Sequence, residues 1–264
     1  MNKVQRFYDE NPEQEWLRLE RDRIEFSVTL RILDDYLPPA PARLLDIGGG
    51  PGRYAIELIR RGYEVTLADI SVGELRVART MAPGLGVELG EVALGDARGM
   101  PFASGAFDAV LMLGPLYHLQ IEEERRLAVR EAMRVMRRGG PLFCAAITRY
   151  APLRWWAKND PSRVTDNLAW FEERLLSGRF GDFEGFTDFH TVRSEEFTPF
   201  MESCGLETID LVGCEGVVSM IRDRVNALEG AAWEAWVDLN YRLGKEPSTH
   251  GGAEHLVHVG RAAQ

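Results

Sequence analysis

The chain has 264 residues, with 45% hydrophobic and 27% charged content and a formal net charge of −10. Such a composition suits a globular protein with a sizeable core, and the acidic balance argues against nucleic acid as partner, since a phosphate backbone calls for a basic face. No apolar run reaches the roughly 20 residues that span a bilayer, and MNKVQRFYDENPEQEW does not read as a signal peptide, so a cytoplasmic protein with a small-molecule partner and no membrane contact is expected.

Taken in chain order, Trp16, Leu19, Phe26, Leu30, Leu33 and Leu37 fall on one helical stripe, which predicts a helix over 13–37 stopped by Pro38-Pro39. Arg23 sits on the same stripe. RLLDI then reads as a buried strand and AIELIRRG as a helix ending at Gly62. The alternation continues through YEVTLADI (strand), GELRVARTMA (helix), GVELGEVALGDA (strand), FDAVLMLG (strand), EEERRLAVREAMRVMRRGG (helix) and PLFCAAIT (strand). Strands alternating with helices imply an α/β fold whose parallel sheet is covered on both faces.

The character changes near Tyr150. Residues 150–199 carry Trp155, Trp156, Trp170, Phe171, Phe180, Phe183, Phe186 and Phe189 with little periodicity, as in a lid or a small packed subdomain. LETIDLVG reads as a strand, 220–244 as a helix and HLVHVGR as a last strand. Cys144, Cys204 and Cys214 lack paired metal-ligand spacing and read as reduced, mostly buried thiols.

The stretch LLDIGGGPGRY, residues 44–54, holds Asp46-x-Gly48-x-Gly50-x-Gly52 between a strand and a helix. It is not the dinucleotide pattern G-x-G-x-x-G, whose third glycine would fall on Arg53, and it has no Lys-Ser or Lys-Thr pair to make a phosphate loop. What remains is a turn that lets a ligand touch backbone beyond the carboxyl end of a parallel strand. Asp69 ends the second strand, where an acid can accept ribose hydroxyls, and Asp96 ends the third, where one can meet an adenine amino group. Alone, each is read more simply as a turn or cap residue; in order, one per strand, they point to a nucleoside.

With those residues, the sequence resembles the class I S-adenosylmethionine-dependent methyltransferases. The resemblance runs from LLDIGGGPGRY through LADIS and GDARGMPFASGAFDAVLMLGPLYHL to MRRGGPLFCAAI, residues 40–148, and more loosely over the later chain. It implies a Rossmann-like, seven-stranded, mostly parallel sheet with helices on both faces and an antiparallel last strand. It implies an N-terminal helical lid at 1–39, a cofactor-binding core at 40–149, an aromatic insertion acting as substrate lid at 150–199, and a C-terminal part of the core sheet at 200–264. S-Adenosylmethionine would lie with its methionine and ribose portions along Gly48, Gly49, Gly50 and Gly52, and Asp46 would fix the turn or hold the ammonium. Asp69 would take the ribose hydroxyls and Ile70 face the adenine; Asp96 and the backbone near Ala97 would bond the ring, and Leu113 and Gly114 would lie under the sulfonium.

The fourth-strand exit, Gly114-Pro-Leu-Tyr-His118, bears on the acceptor. It departs from the Asn/Asp-Pro-Pro-Tyr/Phe of methylases acting on nucleic-acid bases and holds no carboxylate cluster, so no metal is expected. His118 is a candidate general base, or a histidine bonded to backbone; Tyr117 lines the pocket or packs in the sheet. Tyr8, on the lid, is the third catalytic candidate. Trp16, Arg23, Arg149 and His190 are candidates for contact with substrate, against a reading of Arg23 as one half of a surface ion pair. His250, His255 and His258 read as structural or exposed. The expected function is methyl transfer to an O, N or C atom of a small metabolite. Cyclisation or aminocarboxypropyl transfer from the same cofactor, or a non-catalytic binding module, are the alternatives. Oligomeric state is left open.

Overall fold

The computed structural model describes residues 3–181, 183 and 185–263. Three helices come first, α1 (Lys3–Glu10), α2 (Pro12–Arg21) and α3 (Arg23–Tyr36), where one was expected. Pro12 opens α2, and Asp22 (φ −96°, ψ 56°) breaks the stripe because its buried carboxylate faces the Arg222 guanidinium at 3.3 Å. The core repeats the α/β rhythm: β1 (Arg43–Ile47), α4 (Arg53–Arg60), β2 (Glu64–Asp69), α5 (Val72–Gly84), β3 (Val92–Leu94), β4 (Ala109–Met112), α6 (Pro115–His118), α7 (Glu122–Val135) and β5 (Pro141–Thr148). The third strand is much shorter than GVELGEVALGDA suggested, since glycines at 86, 90 and 95 interrupt what is an edge.

The insertion forms α8 (Ala151–Asn159), α9 (Arg163–Ser177), β6 (Arg179–Phe180) and β7 (Phe189–Val192). Then come α10 (Ser194–Ser203), β8 (Leu206–Gly213), a 3₁₀ turn at Gly216–Ile221, α11 (Arg222–Asn226), α12 (Gly230–Gly244), α13 (Pro247–His250) and β9 (His255–Ala262). The single helix expected over 220–244 is therefore two, parted at 227–229, and α12 opens on Gly230, whose φ of +58° favours glycine.

The main sheet runs β3-β2-β1-β4-β5-β9-β8, with β9 antiparallel to both neighbours and β1 to β5 parallel. The expected seven strands and reversed last strand are present, and the insertion adds two more. Past Met112 the β4 side of β5 is free, and β7 takes it up through Ile147–Thr191 and Thr148–Val192. Alternate residues enter two cores: Leu44, Leu111 and Phe143 on one face, Leu45, Val110 and Cys144 on the other. The insertion packs on its own aromatics, Trp155, Trp156, Phe171, Phe180, Phe183 and Phe189 meeting mostly edge to face. Among the described residues no helix is long and apolar enough to cross a membrane.

Candidate functional site

A cavity of about 1170 Å3, open mouth included, lies at the carboxyl ends of β1, β2 and β4 and beneath α1 and α2. The glycine turn between β1 and α4 forms its floor, and each glycine there has a separate task. Gly48 (φ +65°) lies so near α6 that a Cβ would run into the Pro115 ring, and a Cβ on Gly49 would come within 2.5 Å of Asp46 Oδ2. Gly50 (φ +54°) faces the cavity. Gly52, by contrast, is turned inward: a Cβ would meet Leu67, Ala78 and Ala55, and its carbonyl starts α4 by accepting from the Ile56 N–H. Its expected place along the ligand is corrected; it ends the turn.

The three acids sit in three different environments. Asp46 is 1% exposed and neither carboxylate oxygen has a partner; burial first, then the nearby Asp69, push its pKa up to about 7. Asp69 accepts from the Gly50 N–H (2.9 Å) and the Ser71 N–H (2.7 Å), yet burial outweighs these bonds and raises it to about 6. Asp96 is more open; burial pushes its pKa up, but the hydrogen bonds from Arg98 outweigh this and hold it below the usual range. Ile70, Ala97, Leu113 and Gly114 line the same cavity. At Gly114 a Cβ would stand 3.1 Å from the Gly48 carbonyl, so the β4 exit and the glycine turn meet here.

Opposite the acids, Tyr8, Tyr117 and His118 converge from α1 and α6. The Tyr8 hydroxyl lies 2.8 Å from His118 Nε2, and His118 Nδ1 lies 3.0 Å from the Asp188 carbonyl. A carbonyl only accepts, so Nδ1 carries the hydrogen and Nε2 receives the Tyr8 O–H. Burial lowers the His118 pKa to about 4, which keeps the ring neutral at physiological pH. Tyr117 packs beside it, ring centroids 4.7 Å apart.

Four substrate candidates lie elsewhere. Trp16 is buried against Ile56, Ala82 and Val87, with Arg53 over its ring. Arg23 donates to the carbonyls of Asn226 and Leu228 and stacks on Trp233, so it staples α3 to the C-terminal helices. Arg149 is buried and bonds the Leu175 and Thr191 carbonyls and Glu196. His190 pairs with Arg179 in the β6–β7 hairpin; burial first, then Arg125, Arg149 and Arg179, hold its pKa down at about 3. The insertion instead reaches the site through Asp188 and Phe186.

The wall also holds residues the sequence did not single out: Glu15, Arg18, Glu25, Tyr54 and Glu74. In sequence Glu15 and Arg18 stand i, i+3 on a helix, which carries no more signal than a surface ion pair, and His255 is one of the histidines expected to be structural or exposed. It lies in the cavity wall, its Nδ1 2.6 Å from Glu215 and 3.6 Å from Glu25. Burial would lower its pKa, but the two carboxylates outweigh burial and raise it to about 9. Among the described residues Glu25, Glu215 and His255 have the spacing of metal ligands. At neutral pH a proton holds His255 Nδ1, and Arg18 bonds Glu25 at 2.5 Å.

These shifts fix how stability should follow pH. Asp46 (about 7), Glu74 (about 9) and His255 (about 9) each hold a proton more tightly folded than unfolded. Below about pH 6.5 the histidines that burial holds lowest, His118, His190 and His258, act with the opposite sign. Above it the raised groups decide: the native state binds more protons than the unfolded chain, so stability falls as pH rises towards 9. Without ligand, the melting temperature at pH 9 should lie about 5 °C or more below that at pH 6. A flat or rising profile in thermal melts would contradict these protonation states.

The family described as Methyltransferase domain matches residues 45–144. A demethylmenaquinone methyltransferase of Thermus thermophilus is 37% identical over 156 residues, which cover 58% of this chain and 68% of that protein. An uncharacterized protein of Mycobacterium tuberculosis is 29% identical over 180 residues, 65% of this chain; the match spans 59% of that relative's own length. A crystal structure of an S-adenosylmethionine-dependent methyltransferase from Methanosarcina mazei aligns with a TM-score of 0.61 over 88% of this chain and 97% of that one. At 22% identity that likeness is one of fold.

Proposed function

Because the chain belongs to the class I S-adenosylmethionine-dependent methyltransferases, we propose that it moves a methyl group from that cofactor to an O, N or C atom of a small metabolite. The observation that carries this reading is that one cavity joins the glycine turn and its acids to the Tyr8–His118 pair.

The residues fit the cofactor. Asp46 offers two buried, unpartnered oxygens beneath the turn, suited to an ammonium, and Gly50, where a Cβ would stand 3.6 Å from its nearest non-adjacent atom, leaves room for a ligand chain over the backbone. Asp69 keeps lone pairs free beyond its two backbone bonds for ribose hydroxyls, with Ile70, Asp96 and Ala97 disposed for the adenine and Leu113 and Gly114 for the sulfonium end. S-Adenosylmethionine, when bound, supplies a methyl group already activated as a sulfonium.

The protein's own work is to seat the acceptor, keep water out and take up a proton where the acceptor carries one. His118 Nε2 is an unprotonated acceptor, and the Tyr8 oxygen beside it can receive a hydrogen bond from an acceptor hydroxyl or amine while donating its own hydrogen to the ring. The Thermus relative's name supports a small-molecule acceptor.

Incubation of the pure protein with S-adenosylmethionine and a metabolite extract tests the reading. S-Adenosylhomocysteine that forms only with extract is the expected product by mass spectrometry. Methylthioadenosine in its place, or cofactor binding with neither product, would overturn methyl transfer.

A further inference from the structure

Glu74 stands at the start of α5 in the pattern Ser71-x-x-Glu74, the usual sign of a capping box, in which the glutamate reaches back to the backbone N–H of the serine. Half of that arrangement is present: Ser71 Oγ accepts from the Glu74 N–H at 3.1 Å. The other half is not. The Ser71 N–H bonds Asp69 Oδ1 at 2.7 Å instead, and the Ser71 hydroxyl donates to Asp9. The Glu74 carboxyl is thereby released from the helix end. It is 1% exposed, neither oxygen has a hydrogen-bond partner, and it lines the cavity next to Gly50, whose N–H is held by Asp69. A Cβ on Gly50 would lie 3.6 Å from Glu74 Oε2, which places that oxygen over the glycine turn.

A buried carboxyl without partners costs stability and does nothing for the fold. Its neighbours, Asp69, Glu15 and Asp9, are acids that offer no compensating charge. From this geometry we infer that Glu74 is a second ribose-recognition residue, one that takes a hydroxyl of the nucleoside beside the hydroxyl taken by Asp69. The inference rests on the proposed cofactor. Burial first, then Asp69, raise the Glu74 pKa to about 9, so at neutral pH the carboxyl is protonated and can both donate to and accept from a hydroxyl.

Calorimetric binding of S-adenosylhomocysteine and its 2′-deoxy and 3′-deoxy analogues, with melting curves of the unliganded proteins, tests this. Glu74→Leu should bind S-adenosylhomocysteine about tenfold more weakly, and Glu74→Gln, which still donates and accepts, should keep most of the affinity. The loss should shrink for the analogue that lacks the contacted hydroxyl, the mark of a direct contact in a mutant cycle. Without ligand, Glu74→Leu should melt at or above the wild-type temperature, whereas a glutamate that held the helix end would lower it. Wild-type binding with unchanged affinity in Glu74→Leu would overturn the role of Glu74 alone. An equal loss for all three ligands would overturn the ribose contact. A wild-type protein that binds none of them would instead overturn the cofactor reading.

Discussion

Replacing Asp69 by Ala is expected to weaken S-adenosylhomocysteine binding by ten- to a hundredfold. The side chain is buried at the cavity wall and has two duties: it holds the Gly50 and Ser71 N–H groups and still has lone pairs for a ligand. Hydrogen bonds to a charged group are worth roughly 1.5–3 kcal/mol each, enough for that loss without any unfolding. Loss of the Gly50 bond also loosens the turn, so Asp69→Asn, which keeps one acceptor oxygen, should fall between the two. Titration calorimetry checks both variants, and unchanged affinity in the Ala variant would refute the ribose assignment.

His118→Asn should cut turnover by about a hundredfold or more, the ordinary scale of a lost general base, while S-adenosylhomocysteine affinity stays the same. Tyr8→Phe, which leaves Nε2 without its donor, should cost less, about tenfold. The pH profile sharpens the test. Because burial holds the imidazole near 4, it is unprotonated from about pH 5 upward, and activity that depends on it should rise through pH 4 and then level off. Full turnover in His118→Asn, followed as S-adenosylhomocysteine release, would remove the ring from the mechanism.

What could be read from the sequence was local. The strand, glycine turn and helix around Asp46, the acid ending β2 and the one two residues past β3 announce themselves because each depends on its own few neighbours. Tyr8 and His118 were nameable as candidates, but their hydrogen bond joins residues 110 positions apart, and only the packing of α1 over α6 makes it. Arg23, read as a substrate contact or a surface ion pair, and Arg149, read as a substrate candidate, are each taken up by backbone carbonyls from distant segments. Gly52 looked like its neighbours in the turn, and only the Leu67, Ala78 and Ala55 side chains packed where its Cβ would stand set it apart. Glu74 was hidden by a capping pattern that is satisfied on one side and broken on the other, because Asp69 takes the serine's amide. The break at Asp22 likewise depends on an arginine 200 positions away.

The lone carboxyl beneath the glycine turn has a thermal signature. At pH 7 Asp46 is close to half-protonated, and a cation placed against it would drive the proton out into solution. The heat of binding at that pH should therefore change with the buffer's own ionisation enthalpy, with a fraction of a proton released per site. At pH 9, where Asp46 has already given its proton up, the part of that dependence due to Asp46 should disappear.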